Sequence, residues 1–315
     1  MDLKLLGFHH LTAITADAAG NLRFYRDVMG LRLVKKTVNQ DDTSAYHLFY
    51  ADEKGSAGTD ITFFDWPAAP EKRGSGSVSR TGFRILNAES IPFWQERLSG
   101  AGVLVAEPRE VDGRTVMDFE DPEGQRLRLV VDSEGPNGAA RPTSDIPVEH
   151  QIHGLGSISL SVAELAPTEA VLTRVMNMGK VRNYEDDGRT IHVFVMSSGG
   201  SETELHVAVE PELPTVRPGR GGVHHVAFRT SDQANLTAWT ERLREYRVPS
   251  SGEVERFYFR SLYFRIPAGI LFEIATDGPG FEADEPLETM GESLALPPFL
   301  EPRRAEIEAG LKPLE

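Results

Sequence analysis

Two short segments share one pattern: Gly7-Phe8-His9-His10-Leu11-Thr12-Ala13 and Gly222-Val223-His224-His225-Val226-Ala227-Phe228. Repetition restricts a chain to folds made by pairing or stacking one small unit. Each segment reads as a strand, and a helix-period stretch follows it. After the first, Leu22, Tyr25 and Met29 fall at i, i+3, i+7, and Gly30 suits the residue just past a helix end. After the second, Leu236, Trp239 and Leu243 keep the same spacing, with Ser231 or Asp232 as N-cap.

Alternating strands come next in both copies. They are expected at Leu31–Val38, Ala45–Tyr50 and Asp60–Trp66 in the first, and at Val254–Phe259, Leu262–Ile266 and Ile270–Thr276 in the second. Two fainter copies lie between. One starts near Val78, with helix positions Ile91, Trp94 and Leu98 and a last strand Gln125–Val131. The other starts near Leu155, with a helix over Pro167–Met178 and last strands Thr190–Met196 and Thr203–Val209. The expected fold is α+β, four βαβββ modules paired into two cup-shaped domains. Pro, Gly and Ser gather in the linkers Trp66–Ser79, Ser133–Ile152 and Pro211–Gly222. They suggest an N-terminal domain over 1–140, a C-terminal domain over 150–280 and a tail over 281–315 that carries a helix, Glu301–Leu311.

Alternation along a strand assigns faces. If Val226 and Phe228 pack on their module's helix, His225 points the other way, with Val223 and Ala227. On the last strand Phe272 and Ile274 take the helix side, leaving Glu273 on the concave side. The same alternation places His10, Thr12 and Ile14 on the concave face of the first module and His224 on the helix side of the fourth. A carboxylate between Phe272 and Ile274 is costly unless paired, hydrogen-bonded or bound to a metal. A lone histidine in a strand is usually a hydrogen-bonded core residue. Two His-His pairs at equivalent repeat positions, with a Glu in an apolar strand, point instead to a metal held by His10, His225 and Glu273. Two imidazoles and one carboxylate with open positions favour Fe(II), with Mn(II) as the near competitor; Zn(II) accepts the same ligand types. Counting from Gly58 and Gly269, Thr62 stands where Glu273 stands, so three protein ligands are expected and not four. His47, His192 and His206 lie in strands without a matching carboxylate and read as structural or pocket-lining.

The formal charge of −15 and pI near 5.1 argue against nucleic acid and anionic membrane as partners. No cysteine is present, which removes disulfides, thiolate metal sites and cysteine nucleophiles. No stretch approaches the roughly 20 apolar residues of a membrane span, and the N-terminus lacks a signal-peptide pattern, so the cytoplasm is the default expectation.

At these residues the chain resembles the vicinal oxygen chelate, or glyoxalase–bleomycin resistance, superfamily. More closely, it resembles the hydroquinone-type ring-cleaving extradiol dioxygenases. The resemblance runs nearly end to end: Phe8-His9-His10-Leu11-Thr12, Val28-Met29-Gly30-Leu31-Arg32-Leu33-Val34-Lys35-Lys36-Thr37, Tyr46-His47-Leu48, Gly58-Thr59, Pro147-Val148-Glu149-His150, Val223-His224-His225, Leu271-Phe272-Glu273 and the tail segment 296–303. The resemblance implies Fe(II), sometimes Mn(II), on His10, His225 and Glu273, with O2 and a small aromatic substrate as partners. It implies supporting roles for His9, Thr12, His224, Arg256 and Tyr263. Tyr263 and Arg256 would stabilise developing negative charge and His224 would shuttle a proton. A homo-oligomer is compatible with it. Ring substituents stay open, because the loop Asp41–Ser44 departs from the family pattern. Two other readings share the fold: a glyoxalase-type metal-dependent isomerase or lyase, and a non-catalytic cup that binds an aromatic compound. The first usually needs four protein ligands, against Thr62; the second needs no ionisable groups beside the metal, against Arg256 and Tyr263.

Overall fold

The computed structural model describes residues 3–197 and 199–314. Its sixteen strands fall into the four expected modules. The first holds β1 (Phe8–Thr15), β2 (Arg32–Val38), β3 (Tyr46–Ala51) and β4 (Asp60–Asp65); the second, β5 (Ser77–Ile85), β6 (Arg109–Val111), β7 (Arg114–Glu120) and β8 (Arg126–Val131). The third holds β9 (Leu155–Val162), β10 (Gly179–Asp186), β11 (Arg189–Val195) and β12 (Glu204–Val209); the fourth, β13 (Val223–Thr230), β14 (Ser250–Glu255), β15 (Arg260–Arg265) and β16 (Leu271–Thr276).

One helix follows the first strand of each module: α1 (Ala18–Leu22), α2 (Ser90–Gly100), α3 (Leu165–Ala170) and α4 (Gln233–Glu245). Helices α1 and α3 widen into single π-turns over Arg23–Val28 and Val171–Val175. The periodic residues are the buried ones: Leu22, Tyr25 and Met29 in the first module, and Leu236, Trp239 and Leu243 in the fourth, are at most 2% exposed. Asp232 is the N-cap of α4 and accepts from the Asn235 N–H. Among the described residues no helix is long and apolar enough to cross a membrane.

The modules pair into two eight-stranded sheets of order β14-β15-β16-β13-β1-β4-β3-β2 and β10-β11-β12-β9-β5-β8-β7-β6. The first sheet joins module one to module four through antiparallel β1 and β13; the second joins module two to module three through β5 and β9. The sequence halves 1–140 and 150–280 therefore each contribute one module to each cup. The linkers support this pairing by running alongside each other, with bridges from Pro70 to Arg220, Lys72 to Arg217 and Ser75 to Thr215. Pairing of distant strands is a tertiary choice that linker composition does not encode.

Three local expectations are revised. The strand expected over Val254–Phe259 ends at Glu255, and Arg256–Phe259 is a tight turn closed by Arg256 N–H to Phe259 O at 3.0 Å, with Phe257 at φ 69°. The tail helix is shorter than expected: α5 spans Arg304–Gly310, preceded by a 3-10 turn. It is not free either, since Ile307 packs with Val38, Leu296 and Leu300. The tail also lies over the first cup, where the fully buried Lys35 ammonium donates to the Phe281 carbonyl, Asp284 and Glu285.

Candidate metal centre

The third revision concerns His224. The ladder between β1 and β13 runs Phe8↔Phe228 then His10↔Ala227 at one end, and Thr12↔His225 then Ala13↔Val223 at the other. Each His-His pair thus sits in a β-bulge, where an extra residue breaks strict alternation. The bulge turns His224 into the pocket beside His225, so it does not face the helix.

His10, His225 and Glu273 come together from β1, β13 and β16. His10 Nε2 lies 3.3 Å from both His225 Nε2 and Glu273 Oε2, and His225 Nε2 lies 2.9 Å from the same oxygen. All three residues are buried. Glu273 Oε1 accepts a 2.5 Å hydrogen bond from Ser261, while Oε2 has no hydrogen-bond partner. Burial opposes the charge of Glu273, but the two imidazoles outweigh it and hold the carboxyl well below its usual range. Burial also lowers the His225 pKa, against the pull of Glu273. Donor separations of about 3 Å are those found around one ion with bonds of roughly 2.0–2.2 Å. The residues fit a metal.

Hydrogen bonds behind the site fix the tautomers. His9 Nε2 lies 3.0 Å from the Thr276 carbonyl, which only accepts, so this nitrogen carries the proton. His9 is neutral, since burial and neighbouring His10 lower its pKa to about 3. Its Nδ1 must then accept from His10 Nδ1–H at 2.8 Å, leaving the His10 Nε2 lone pair aimed at Glu273 and His225. This is the carboxylate-free form of an outer partner orienting a ligand. In the fourth module His224 and His225 repeat the Nδ1 to Nδ1 contact at 2.8 Å. His9→Leu is expected to weaken metal binding about 10- to 100-fold, and His9→Asn, whose carbonyl oxygen can accept the same proton, to recover part of it. Competition with a colorimetric chelator reads both; equal affinity in His9→Leu and the parent protein would contradict the tautomer assignment.

The remaining sequence-derived residues divide. Arg256 and Tyr263 lie together in the pocket beside the triad, with Arg256 Nε donating to Tyr263 OH at 3.3 Å. Burial and the charge of Glu273 raise the Tyr263 pKa, so its hydroxyl keeps its proton. Thr12 pairs with His225 across the strands, and its Oγ1 hydrogen-bonds Thr62 Oγ1 at 2.8 Å and no ligand atom. His47, read as structural or pocket-lining, does line the pocket and bonds Thr62 at 3.0 Å. Ser261 was missed. The repeat contained the signal, because His47 and Ser261 both sit opposite the residue two beyond Thr62 and Glu273 respectively. The cavity has a volume of about 290 Å³, and Phe49, Phe64, Trp66, Phe259 and Leu271 give it aromatic and aliphatic walls.

The second cup holds a superficially similar group, Asp112, Glu204 and His206. There Arg182 donates to both carboxylates, at 2.5 and 2.8 Å, and Arg114 donates to Glu204 at 2.8 Å. His206 Nε2–H is spent on Glu204, and its Nδ1 accepts from Tyr184 OH. Burial pushes Glu204 up, but His206 and Arg114 outweigh it and bring the pKa to about 2. Guanidinium groups therefore take the lone pairs that an ion would need.

The paired βαβββ cups and this buried site define the class. The Glyoxalase/Bleomycin resistance protein/Dioxygenase superfamily pattern matches residues 7–129 and 154–274, and the chain belongs to that superfamily. MhqA of Bacillus subtilis (strain 168), provisionally assigned as a ring-cleaving dioxygenase, is 45% identical over 99% of this chain and all of its own length. The chlorohydroquinone/hydroquinone 1,2-dioxygenase of Sphingobium indicum is 31% identical over 96% of this chain and 95% of its own. A crystal structure of a provisionally assigned dioxygenase from Bacillus subtilis superposes with TM-score 0.91 at 35% identity, covering 99% of this chain and 98% of the other.

Proposed function

We propose that this protein is a mononuclear non-heme dioxygenase that opens the ring of hydroquinone-type substrates with O2. The convergence of His10, His225 and Glu273 beside an aromatic-walled pocket carries the reading. Fe(II) on these three residues, with Mn(II) as an alternative, would supply the redox chemistry that joins O2 to the ring.

The chain's own groups prepare the substrate. Phe49, Phe64, Trp66 and Phe259 hold a planar ring and exclude water from the polar end of the pocket. Tyr263 O–H and the Arg256 guanidinium offer hydrogen bonds to a ring oxygen as it gains negative charge. If His225 gives its Nε2 lone pair to the metal, its Nδ1–H donates to His224 Nδ1. His224, neutral because burial and His225 lower its pKa to about 3, then holds its proton on Nε2. It enters the pocket as a hydrogen-bond donor. Thr62 offers no carboxylate at the place that corresponds to Glu273, so three residues would hold the ion, one fewer than in a four-ligand isomerase site.

Oxygen uptake by anaerobically Fe(II)-loaded protein tests this, across hydroquinone, methylhydroquinone, chlorohydroquinone and catechol. Uptake with ring-opened product from the hydroquinones is the expected result. Turnover of a glutathione hemithioacetal without oxygen, or tight aromatic binding without any turnover, would replace it with one of the two other readings.

A further inference from the structure

The charges around the pocket bear on which rings enter it. Among the described residues lining the cavity, Arg256, Asp41 and Asp42 are the charged side chains. Arg256 is the cation among the side chains, and Asp41 offsets its charge while leaving N–H donors for a ring oxygen. Its guanidinium meets Asp41 Oδ2 at 3.0 Å and Tyr263 OH at 3.3 Å, and its backbone carbonyl accepts from Gln40 Nε2 at 2.8 Å. The loop between β2 and β3 is thereby drawn across the mouth of the pocket to the turn that carries Arg256. Asp42 is turned into the same loop, where it accepts from the Ser44 N–H and hydroxyl. The other walls are mostly the apolar side chains of Val38, Phe49, Phe64, Phe259 and Leu271 with Trp66, and Thr37, Asn39, Gln40 and Tyr258 add polar groups that carry no positive charge.

We infer that Asp41 is the residue that turns away hydroquinones bearing a carboxylate on the ring. The inference rests on the ring-cleaving reading above. With the ring oxygens turned to the triad end of the pocket, a carboxylate elsewhere on the ring has two places to go. Against the walls it loses hydration and meets no side-chain cation to pair with. At the mouth it meets Asp41, with Asp42 beside it, and the charge of the one side-chain cation there is already offset by Asp41. A neutral methyl, chloro or ester group meets neither penalty. Discrimination of this kind comes from a repulsive element as much as from fit. Asp41 is 74% exposed, so its share of the effect is screened by salt.

The test is an anaerobic binding titration of the full-length Fe(II)-loaded protein, followed by tryptophan fluorescence. Trp66 lines the pocket, whereas Trp94 and Trp239 are fully buried in the core. The probes are methylhydroquinone, (2,5-dihydroxyphenyl)acetate and the methyl ester of that acid, which keeps the shape and removes the charge. The ester is expected to bind about ten-fold or more tightly than the acid, with Asp41→Asn closing that ratio several-fold at low salt. Equal binding of acid and ester, or an unchanged ratio in Asp41→Asn, would overturn the inference while methylhydroquinone binding left the ring-binding reading intact. No response to any of the three rings would overturn that reading and this inference together.

Discussion

Glu273→Gln is expected to leave a folded protein that neither retains metal nor consumes oxygen. The substitution preserves shape at a fully buried position between Phe272 and Ile274, so the core of the fourth module stays filled. It removes the anionic donor whose Oε2 faces two imidazole nitrogens. Metal binding to four-ligand structural sites is worth about 10–16 kcal/mol, or roughly 2.5–4 kcal/mol per ligand. Losing one ligand therefore weakens affinity by about two to three orders of magnitude. Metal analysis after gel filtration reads this directly. Full metal stoichiometry in the variant would show that Glu273 is a paired core carboxylate and no ligand.

Thr62→Glu is the complementary change, and it should bind metal more tightly while losing activity. Module one and module four are related copies, and Thr62 occupies in β4 the place Glu273 holds in β16. Their neighbours correspond as well: Tyr263 pairs with Glu273 and Phe49 with Thr62, while Ser261 bonds Glu273 and His47 bonds Thr62. A carboxylate here would add a fourth candidate ligand from the first module. A fourth ligand is expected to raise metal affinity by at least about ten-fold and to cut oxygen uptake by about 100-fold. Chelator competition and an oxygen electrode measure the two effects on one preparation. Unchanged metal affinity with oxygen uptake retained would mean that position 62 does not reach the ion.

Much of the site was legible in the sequence because strands alternate. Glu273 between two core residues and His225 beside Val226 were assigned to one face by a period of two, and the structure brings them within 2.9 Å. The module helices were legible for the parallel reason, since a period of 3.6 marks Leu236, Trp239 and Leu243. Alternation fails where a bulge inserts a residue. Nothing in Val223-His224-His225 announces the bulge that turns His224 into the pocket. The turn Arg256–Phe259 was hidden in an apolar run that reads as strand until Phe257 adopts positive φ. The pairing of modules one with four, and the docking of the tail on Val38, depend on surfaces far apart in the chain. The family resemblance marked Arg256 as functional. Its engagement by Asp41 is a tertiary contact, and the loop that carries Asp41 has no periodic pattern to orient it.

An anomalous-difference map from crystals of Fe(II)-loaded protein, collected at the iron edge, tests the central claim most directly. One peak is predicted within bonding distance of His10 Nε2, His225 Nε2 and a Glu273 oxygen, with none between Asp112, Glu204 and His206. A peak in the second cup, or iron bound without those three side chains, would contradict it.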